Sequence, residues 1–219
     1  HFKFRWMGAS TLSFTPAVPL PLATEFEVTV PEGIKSDVSG EFLEREYKWK
    51  FETMRPDLLY SYPREKQDWL ELDENIFLVF NQEMEPRNIK EFISISEKDV
   101  DGNETYIDFT ARHAVEQDSI TFRVPYKWYR IGHTTKTHTI VLIPQKGLKK
   151  DCFYSLELAR GLKAKEGDLG LYSKRTIQFA TYKTFMFVRS ASWDALEPSD
   201  SLEFVFTNPV RISDLLNAL

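Results

Sequence analysis

Apolar and polar residues alternate with a period of two along most of this chain. Phe26/Val28/Val30, Tyr47/Trp49/Phe51, Ile76/Leu78/Phe80, Ile120/Phe122/Val124, Ile140/Leu142, Tyr154/Leu156/Leu158, Ile177/Phe179 and Leu202/Phe204/Phe206 each read as a strand. Successive side chains of an extended chain point to opposite faces, so this alternation predicts sheets with one buried and one wetter face. Turn signals at Pro31-Glu32-Gly33, Asp101-Gly102-Asn103, Gly147 and Gly161 divide the strands at the spacing of an antiparallel sandwich. The fold class expected is all-β, with two packed antiparallel sheets per module. Two short helical turns interrupt the pattern. Asn88-Ile89-Lys90-Glu91 has the spacing of a capping box, and Ser213-Asp214-Leu215-Leu216 keeps the capping residue without the later acceptor.

The pattern is also written more than once. Leu12-Ser13-Phe14-Thr15-Pro16, Leu20, Phe26-Glu27-Val28-Thr29-Val30, Gly33-Ile34-Lys35 and Trp49-Lys50-Phe51-Glu52-Thr53 each match a segment 128 residues later. The matching segments are Ile140-Val141-Leu142-Ile143-Pro144, Leu148, Tyr154-Ser155-Leu156-Glu157-Leu158, Gly161-Leu162-Lys163 and Ile177-Gln178-Phe179-Ala180-Thr181. A second pairing, at an offset of 126, joins Ile76-Phe77-Leu78-Val79-Phe80-Asn81 to Leu202-Glu203-Phe204-Val205-Phe206-Thr207. Shared Pro, Gly and Thr punctuation at one offset is harder to obtain by accident than shared alternation. Residues 1–54 therefore read as the late strands of one module, 55–184 as a complete module, and 185–219 as the early strands of a third. The partial modules are expected to leave strand edges open to pairing with another chain.

Composition and charge narrow the function classes. With 219 residues, 42% hydrophobic and 14% aromatic, the chain can build packed cores, and 9 Gly with 11 Pro exclude collagen-like or low-complexity structure. The net charge of −5 is dispersed and no Lys/Arg tract occurs, which argues against a nucleic-acid partner. No apolar run approaches the ~20 residues of a membrane-spanning helix. Residues 1–20 lack the ordering of a signal peptide, so any targeting segment is expected upstream. The single cysteine, Cys152, permits no intrachain disulfide and reads as a small residue at a strand start.

Phe14-Thr15-Pro16, then residues 20–30 (Leu20 to Val30), 47–53 (Tyr47 to Thr53) and 69–86 (Trp69 to Pro86), together resemble the macroglobulin-type and immunoglobulin-like modules of bacterial alpha-2-macroglobulin-like proteins. Through the repeat the resemblance covers most of the chain. It departs at Ala23-Thr24, where such modules usually read Gly-Thr, and further at Lys149-Lys150-Asp151-Cys152. The resemblance implies tandem immunoglobulin-like β-sandwich modules in a large exported protein, often a periplasmic lipoprotein, that entraps proteases after they cut a bait segment. The thioester pattern of many members is absent, because Cys152 is followed by Phe153-Tyr154-Ser155. On this resemblance the segment is scaffold. Its partners are neighbouring modules and, in the whole protein, proteases.

No residue set calls for a catalytic site, a cofactor or a metal. The run Asp99-Val100-Asp101-Gly102-Asn103-Glu104 offers hard oxygen ligands of the kind that bind Ca²⁺, but lacks the rest of an EF-hand loop and reads as a solvated hairpin turn. His133 and His138 have opposite parity in an extended segment, and His113 is isolated. No nucleophile elbow, His-Glu-x-x-His or phosphate-cradling loop occurs. The acid pairs Glu44/Glu46 and Glu83/Glu85 look like exposed faces. Tyr126, Trp128, Tyr129 and Arg130 combine aromatic and basic character, as binding hot spots do, and form the one candidate contact surface. A spacer or ligand-binding module of a surface adhesin or S-layer-type protein is the competing function.

Overall fold

The computed structural model describes residues 2–87, 89–116, 118, 136–191, 201 and 203–216. The strands run in chain order as β1 (Phe2–Trp6), β2 (Leu12–Pro16), β3 (Glu25–Val30), β4 (Tyr47–Glu52), β5 (Leu58–Tyr62), β6 (Gln67–Leu70), β7 (Ile76–Phe80) and β8 (Ile93–Lys98). They continue as β9 (Glu104–Ile107), β10 (Phe109–His113), β11 (Thr139–Pro144), β12 (Phe153–Leu158), β13 (Arg175–Thr181), β14 (Phe187–Ala191) and β15 (Glu203–Phe206). Single turns of 3₁₀ helix cover Ile89–Glu91 and Lys136–His138, and one short helix, α1, spans Ile212–Leu216. The fold is all-β.

Strands β5 to β13 build the one sandwich whose two sheets are both present among the described residues. One sheet has the order β10-β11-β7-β5 and the other β6-β13-β12-β8-β9. Every pairing in them is antiparallel except β6 against β13. Ile76, Leu78, Phe80, Phe109, Ile140 and Leu142 of the first sheet pack on Ile93, Ile95, Tyr154, Leu156, Leu158, Ile177 and Phe179 of the second. Each fully buried aliphatic or aromatic side chain contributes roughly 1.5–3 kcal/mol relative to exposure, so this facing set is the main stabilising term.

The expectation of one wet face holds in β12, where Tyr154, Leu156 and Leu158 are buried and Phe153 is exposed. It fails in β7, which is buried along its whole length, and over the first four residues of β11. The physical reason is a second small cluster behind that sheet, in which Phe77, Val141 and Ala114 pack with Tyr62 and Ile143. The run Ile120 to Val124 and residue Leu202 lie outside the described residues.

The sequence repeat is also a repeat of register. In the β3–β4 hairpin Phe26 faces Phe51, Val28 faces Trp49 and Val30 faces Tyr47. Adding 128 to each residue gives the pairs found in β12–β13, namely Tyr154 with Phe179, Leu156 with Ile177 and Leu158 with Arg175. The connectors agree as well: Gly33 N–H donates to Leu43 O and Leu43 N–H to Ile34 O, as Gly161 N–H does to Leu171 O and Leu171 N–H to Leu162 O. Gly33 and Gly161 both have positive φ, 79° and 86°, a conformation that favours glycine.

The preceding strand pair follows the same plan. Phe2 faces Pro16 in β1–β2, and Phe109 faces Pro144 in β10–β11. The connection between the paired strands is longer in the second case, which is why β1 escapes the 128-residue offset. At the other end of the chain, β14–β15 repeats β5–β7. Each pair carries one register shift, between Leu58 and Tyr60 in β5 and between Phe187 and Arg189 in β14. The two helical turns, Ile89–Glu91 and α1, follow at equivalent places, while the capping residue Asn88 lies outside the described residues.

Candidate functional site

Each repeat ends on a threonine that ties its last strand to the segment before the preceding strand. In the first copy Thr24 N–H donates to Thr53 Oγ1 at 3.0 Å, and Thr53 Oγ1 donates to Pro21 O at 2.7 Å. Thr53 N–H donates to Thr24 O and Ala23 N–H to Met54 O, both at 3.0 Å. In the second copy Cys152 N–H donates to Thr181 Oγ1 at 3.3 Å, and Thr181 Oγ1 donates to Lys149 O at 2.6 Å. Thr181 N–H donates to Cys152 O at 3.2 Å and Asp151 N–H to Tyr182 O at 3.0 Å. All four bonds of the first set reappear 128 residues on. Ala23 and Asp151 share a positive φ, 50° and 60°, so the backbone turns alike at both places.

A second set of bonds carries the chain from that threonine into the next strand pair. Asn81 N–H donates to Asp57 O at 3.1 Å, Asp57 N–H to Asn81 Oδ1 at 2.9 Å, and Asn81 Nδ2 to Arg55 O at 2.8 Å. At the later junction Thr207 replaces Asn81. Thr207 N–H donates to Met186 O at 3.0 Å, Met186 N–H to Thr207 Oγ1 at 2.8 Å, and Thr207 Oγ1 to Thr184 O at 2.7 Å. The next residue repeats the plan: Gln82 Nε2 donates to Met54 O at 3.3 Å and Asn208 Nδ2 to Lys183 O at 2.6 Å. An amide and a hydroxyl both carry a donor and an acceptor, which is why Asn81 and Thr207 can serve one geometry. Gln82 Oε1 is buried without a partner, whereas Asn208 Oδ1 accepts Lys183 N–H at 3.2 Å.

Side-to-side contacts complete each junction. The connector between β12 and β13 lies against Ala23: Leu169 N–H donates to Ala23 O at 2.8 Å, and Leu22 N–H donates to Glu166 Oε2 at 3.3 Å. Gly167, with φ of 70°, sits so close that a Cβ there would fall 2.2 Å from Ala23 O. The Arg55 guanidinium lies over the Tyr172 ring, 5.5 Å from its centroid. At the later junction Trp69 Nε1 donates to Thr207 O at 3.2 Å. The Asp151 carboxylate accepts from Thr184 N–H at 2.9 Å and from Thr184 Oγ1 at 2.5 Å, and these bonds hold its pKa below the ordinary carboxylate range.

Beside this junction, on the core side of the five-stranded sheet, Glu97 of β8 is buried. It accepts from Tyr154 Oη at 3.0 Å and pairs with Lys149 Nζ. Lys149 N–H donates to Tyr154 Oη at 2.7 Å. Burial pushes the Tyr154 hydroxyl and the Cys152 thiol upward, and the hydrogen bond to Glu97 raises Lys149. Cys152 is buried and packs within the core cluster, where a reagent in solvent does not reach it. The outer face of the same sheet carries an open groove of about 720 Å³ lined by Lys66, Lys98, Asp99, Phe153, Ser155 and Gln178.

The residues singled out from sequence fall in scattered places. Tyr126, Trp128, Tyr129, Arg130 and His133 lie outside the described residues. His113 donates from Nε2 to Met84 O at 2.8 Å and so braces a loop, while His138 ends the second 3₁₀ turn. Asp99 accepts from Asp101 N–H, Asn103 N–H and Asn103 Nδ2 at 2.8–3.0 Å, so the turn itself uses the oxygens that a cation would need. Those bonds lower its pKa. Among the described residues no group of three or more His, Cys, Asp or Glu is placed to hold a metal ion. Glu83 and Glu46 make exposed ion pairs with Lys165 and Lys48.

Sequence alone does not mark the junction residues as a site, although their signal is present. Thr53 and Thr181 close the 128-residue match, and Asn81 and Thr207 close the other. No family model and no curated protein sequence matches this chain.

Proposed function

We propose that this chain is a non-catalytic scaffold segment of a bacterial alpha-2-macroglobulin-like protease inhibitor, built of tandem immunoglobulin-like modules that hold distant trapping parts in place. The observation that carries the scaffold reading is the bonding across both module boundaries: Gln82 Nε2 donates to Met54 O and Leu169 N–H to Ala23 O at the first, and Asn208 Nδ2 donates to Lys183 O and Trp69 Nε1 to Thr207 O at the second. A spacer evolved for fixed geometry needs such bonds between modules more than it needs a pocket. The protease-trap assignment rests on the sequence resemblance set out above. The whole protein would then act outside the cytoplasm, in the periplasm or at the cell surface, with neighbouring modules and the captured protease as partners.

The test uses the full-length parent protein mixed with a broad-specificity protease. Trapping predicts that the protease keeps its activity on a small chromogenic peptide while losing most of its activity on a large protein substrate. Equal loss of both activities, or of neither, would overturn the inhibitor reading. The second reading, a surface spacer or ligand-binding module, is favoured by the open groove beside Phe153 and predicts no effect on the protease together with many further copies of the junction.

A further inference from the structure

We propose that the groove on the outer face of the five-stranded sheet binds a neutral oligosaccharide. The inference concerns the ligand class of that groove and stands apart from the protease-trap reading, which the parent's effect on a protease decides and a glycan titration does not. Outward-facing residues of this sheet lie in rows across the strands. Ser155 of β12 faces Ser96 of β8 on one side and Gln178 of β13 on the other, and in the next row Phe153 lies between Lys98 and Ala180. Both rows line the groove. It runs from Lys66, just before β6, to Glu104 at the start of β9, four strand spacings or about 19 Å. That length suits an extended chain of sugar rings better than a single small molecule.

The floor has hydrogen-bonding groups to spare. Ser96 is only 8% exposed, yet among the described residues its Oγ has no partner, and it opens into the groove. The side chains of Ser155 and Gln178 have no partner among the described residues either. A nearly buried polar group that the protein leaves unpaired is one for a ligand or water to satisfy. Phe153, in the same floor, is 58% exposed, so an apolar ring stands beside two hydroxyls and an amide that are all unspent. A sugar ring presents C–H on its faces and hydroxyls around its rim. An aromatic ring with flanking donors and acceptors matches both.

Charge and polarity set aside the other ligand classes. Around the groove Lys66 and Lys98 stand against Asp68, Asp99 and Glu104, so a field of neither sign prevails there. An anion would meet the three carboxylates and a cation the two ammoniums. Neither lysine makes an ion pair among the described residues, which leaves both able to donate to sugar hydroxyls. An apolar ligand would cover the hydroxyls and the amide without pairing them. The volume of about 720 Å³ lies within the ~300–1,000 Å³ of ligand clefts.

Isothermal titration calorimetry of the chain tests this, with neutral hexasaccharides of glucose, xylose, mannose and N-acetylglucosamine and with hexagalacturonate as the charged counterpart. Titration to about 5 mM reaches dissociation constants near ~1 mM. At least one neutral hexasaccharide is expected to bind with a dissociation constant below about 1 mM, and hexagalacturonate at least about 10-fold more weakly. Phe153→Ala removes the stacking ring and should weaken binding at least about 10-fold. Gln178→Ala removes one amide partner and should weaken it about 3- to 10-fold. Both side chains are exposed on the outer face, so the urea midpoint of each variant should match the parent's. No binding by any neutral hexasaccharide, hexagalacturonate bound as tightly or more tightly, or either variant binding within about 2-fold of the parent would overturn the proposal.

Discussion

Replacing Thr181 by valine keeps the shape of the side chain and deletes the hydroxyl that joins Lys149 to Cys152. Two bonds go, the 2.6 Å donation to Lys149 O and the 3.3 Å acceptance from Cys152 N–H, at a residue only 2% exposed. A neutral hydrogen bond contributes about 1 kcal/mol net, but a buried group left without its partner costs about 1–3 kcal/mol. The Cys152 N–H, on a buried residue, carries most of that cost, since Lys149 O also accepts from Tyr154 Oη at 3.3 Å, so Thr181→Val is expected to destabilise by about 2–4 kcal/mol. Thr53→Val removes the equivalent pair at a half-exposed position, where water can replace the hydroxyl, and is expected to cost about 1 kcal/mol or less. With a urea m-value of about 1.5–2 kcal/mol/M for a module of this size, Thr181→Val lowers the midpoint by about 1–2 M. Far-UV circular dichroism during urea unfolding measures it, and Thr181→Ser, which keeps the hydroxyl, should recover most of the loss. A midpoint within 0.3 M (roughly the precision of such curves) of the parent for Thr181→Val, or a larger loss for Thr53→Val, would refute the reasoning.

Three further outcomes are expected. Asp118 accepts two bonds from the Arg112 guanidinium at 2.7 Å, and this contact lowers its pKa. Its stabilisation is therefore complete above the unfolded carboxylate pKa near ~4 and is lost as pH falls through the lower folded value. Asp118→Asn should cost about 1.5–3 kcal/mol at pH 7 and flatten the acid limb of stability measured by denaturation between pH 2 and 7, roughly the span over which a carboxylate titrates. Gly167→Ala places a Cβ against Ala23 O, so exchange of the Leu169 amide should rise at least about 10-fold by hydrogen-exchange mass spectrometry while the β12 amides stay protected. Buried Cys152 should react with a thiol reagent at least about 100-fold more slowly than in urea, and Thr181→Val should accelerate it.

Much of the fold was legible because the apolar alternation and the punctuation fell in one register. Val28 and Leu156, or Gly33 and Gly161, occupy like positions because the same turn and the same face recur. What was not legible has identifiable causes. β8 and β10 carry only short or mixed alternation, Ile93-Ser94-Ile95 and Phe109-Thr110-Ala111, and gain their strand character from neighbours. Glu97 at a core-facing position of β8 reads as a solvent residue until Tyr154 and Lys149 are seen to meet it. β7 read as amphipathic because Phe77 and Val79 could face solvent, and the cover over that face comes from Ala114, Tyr62 and Ile143, far away along the chain. The junction threonines look like ordinary strand ends, since a hydroxyl's partners depend on tertiary structure.

The passage from Thr181 to Thr184 has a mechanical consequence. Its four consecutive amides all have fixed acceptors: Cys152 O, Leu70 O, Asn208 Oδ1 and the Asp151 carboxylate. Two of those acceptors lie just before β12, one is the last residue of β6 and one lies beyond β15, so the crossing is laced from both ends. A crossing laced in this way works as a splice and not as a hinge. Repeated along a longer protein, it would make length accumulate as in a jointed ruler locked open, with each added unit shifting whatever lies at the far tip by a set step.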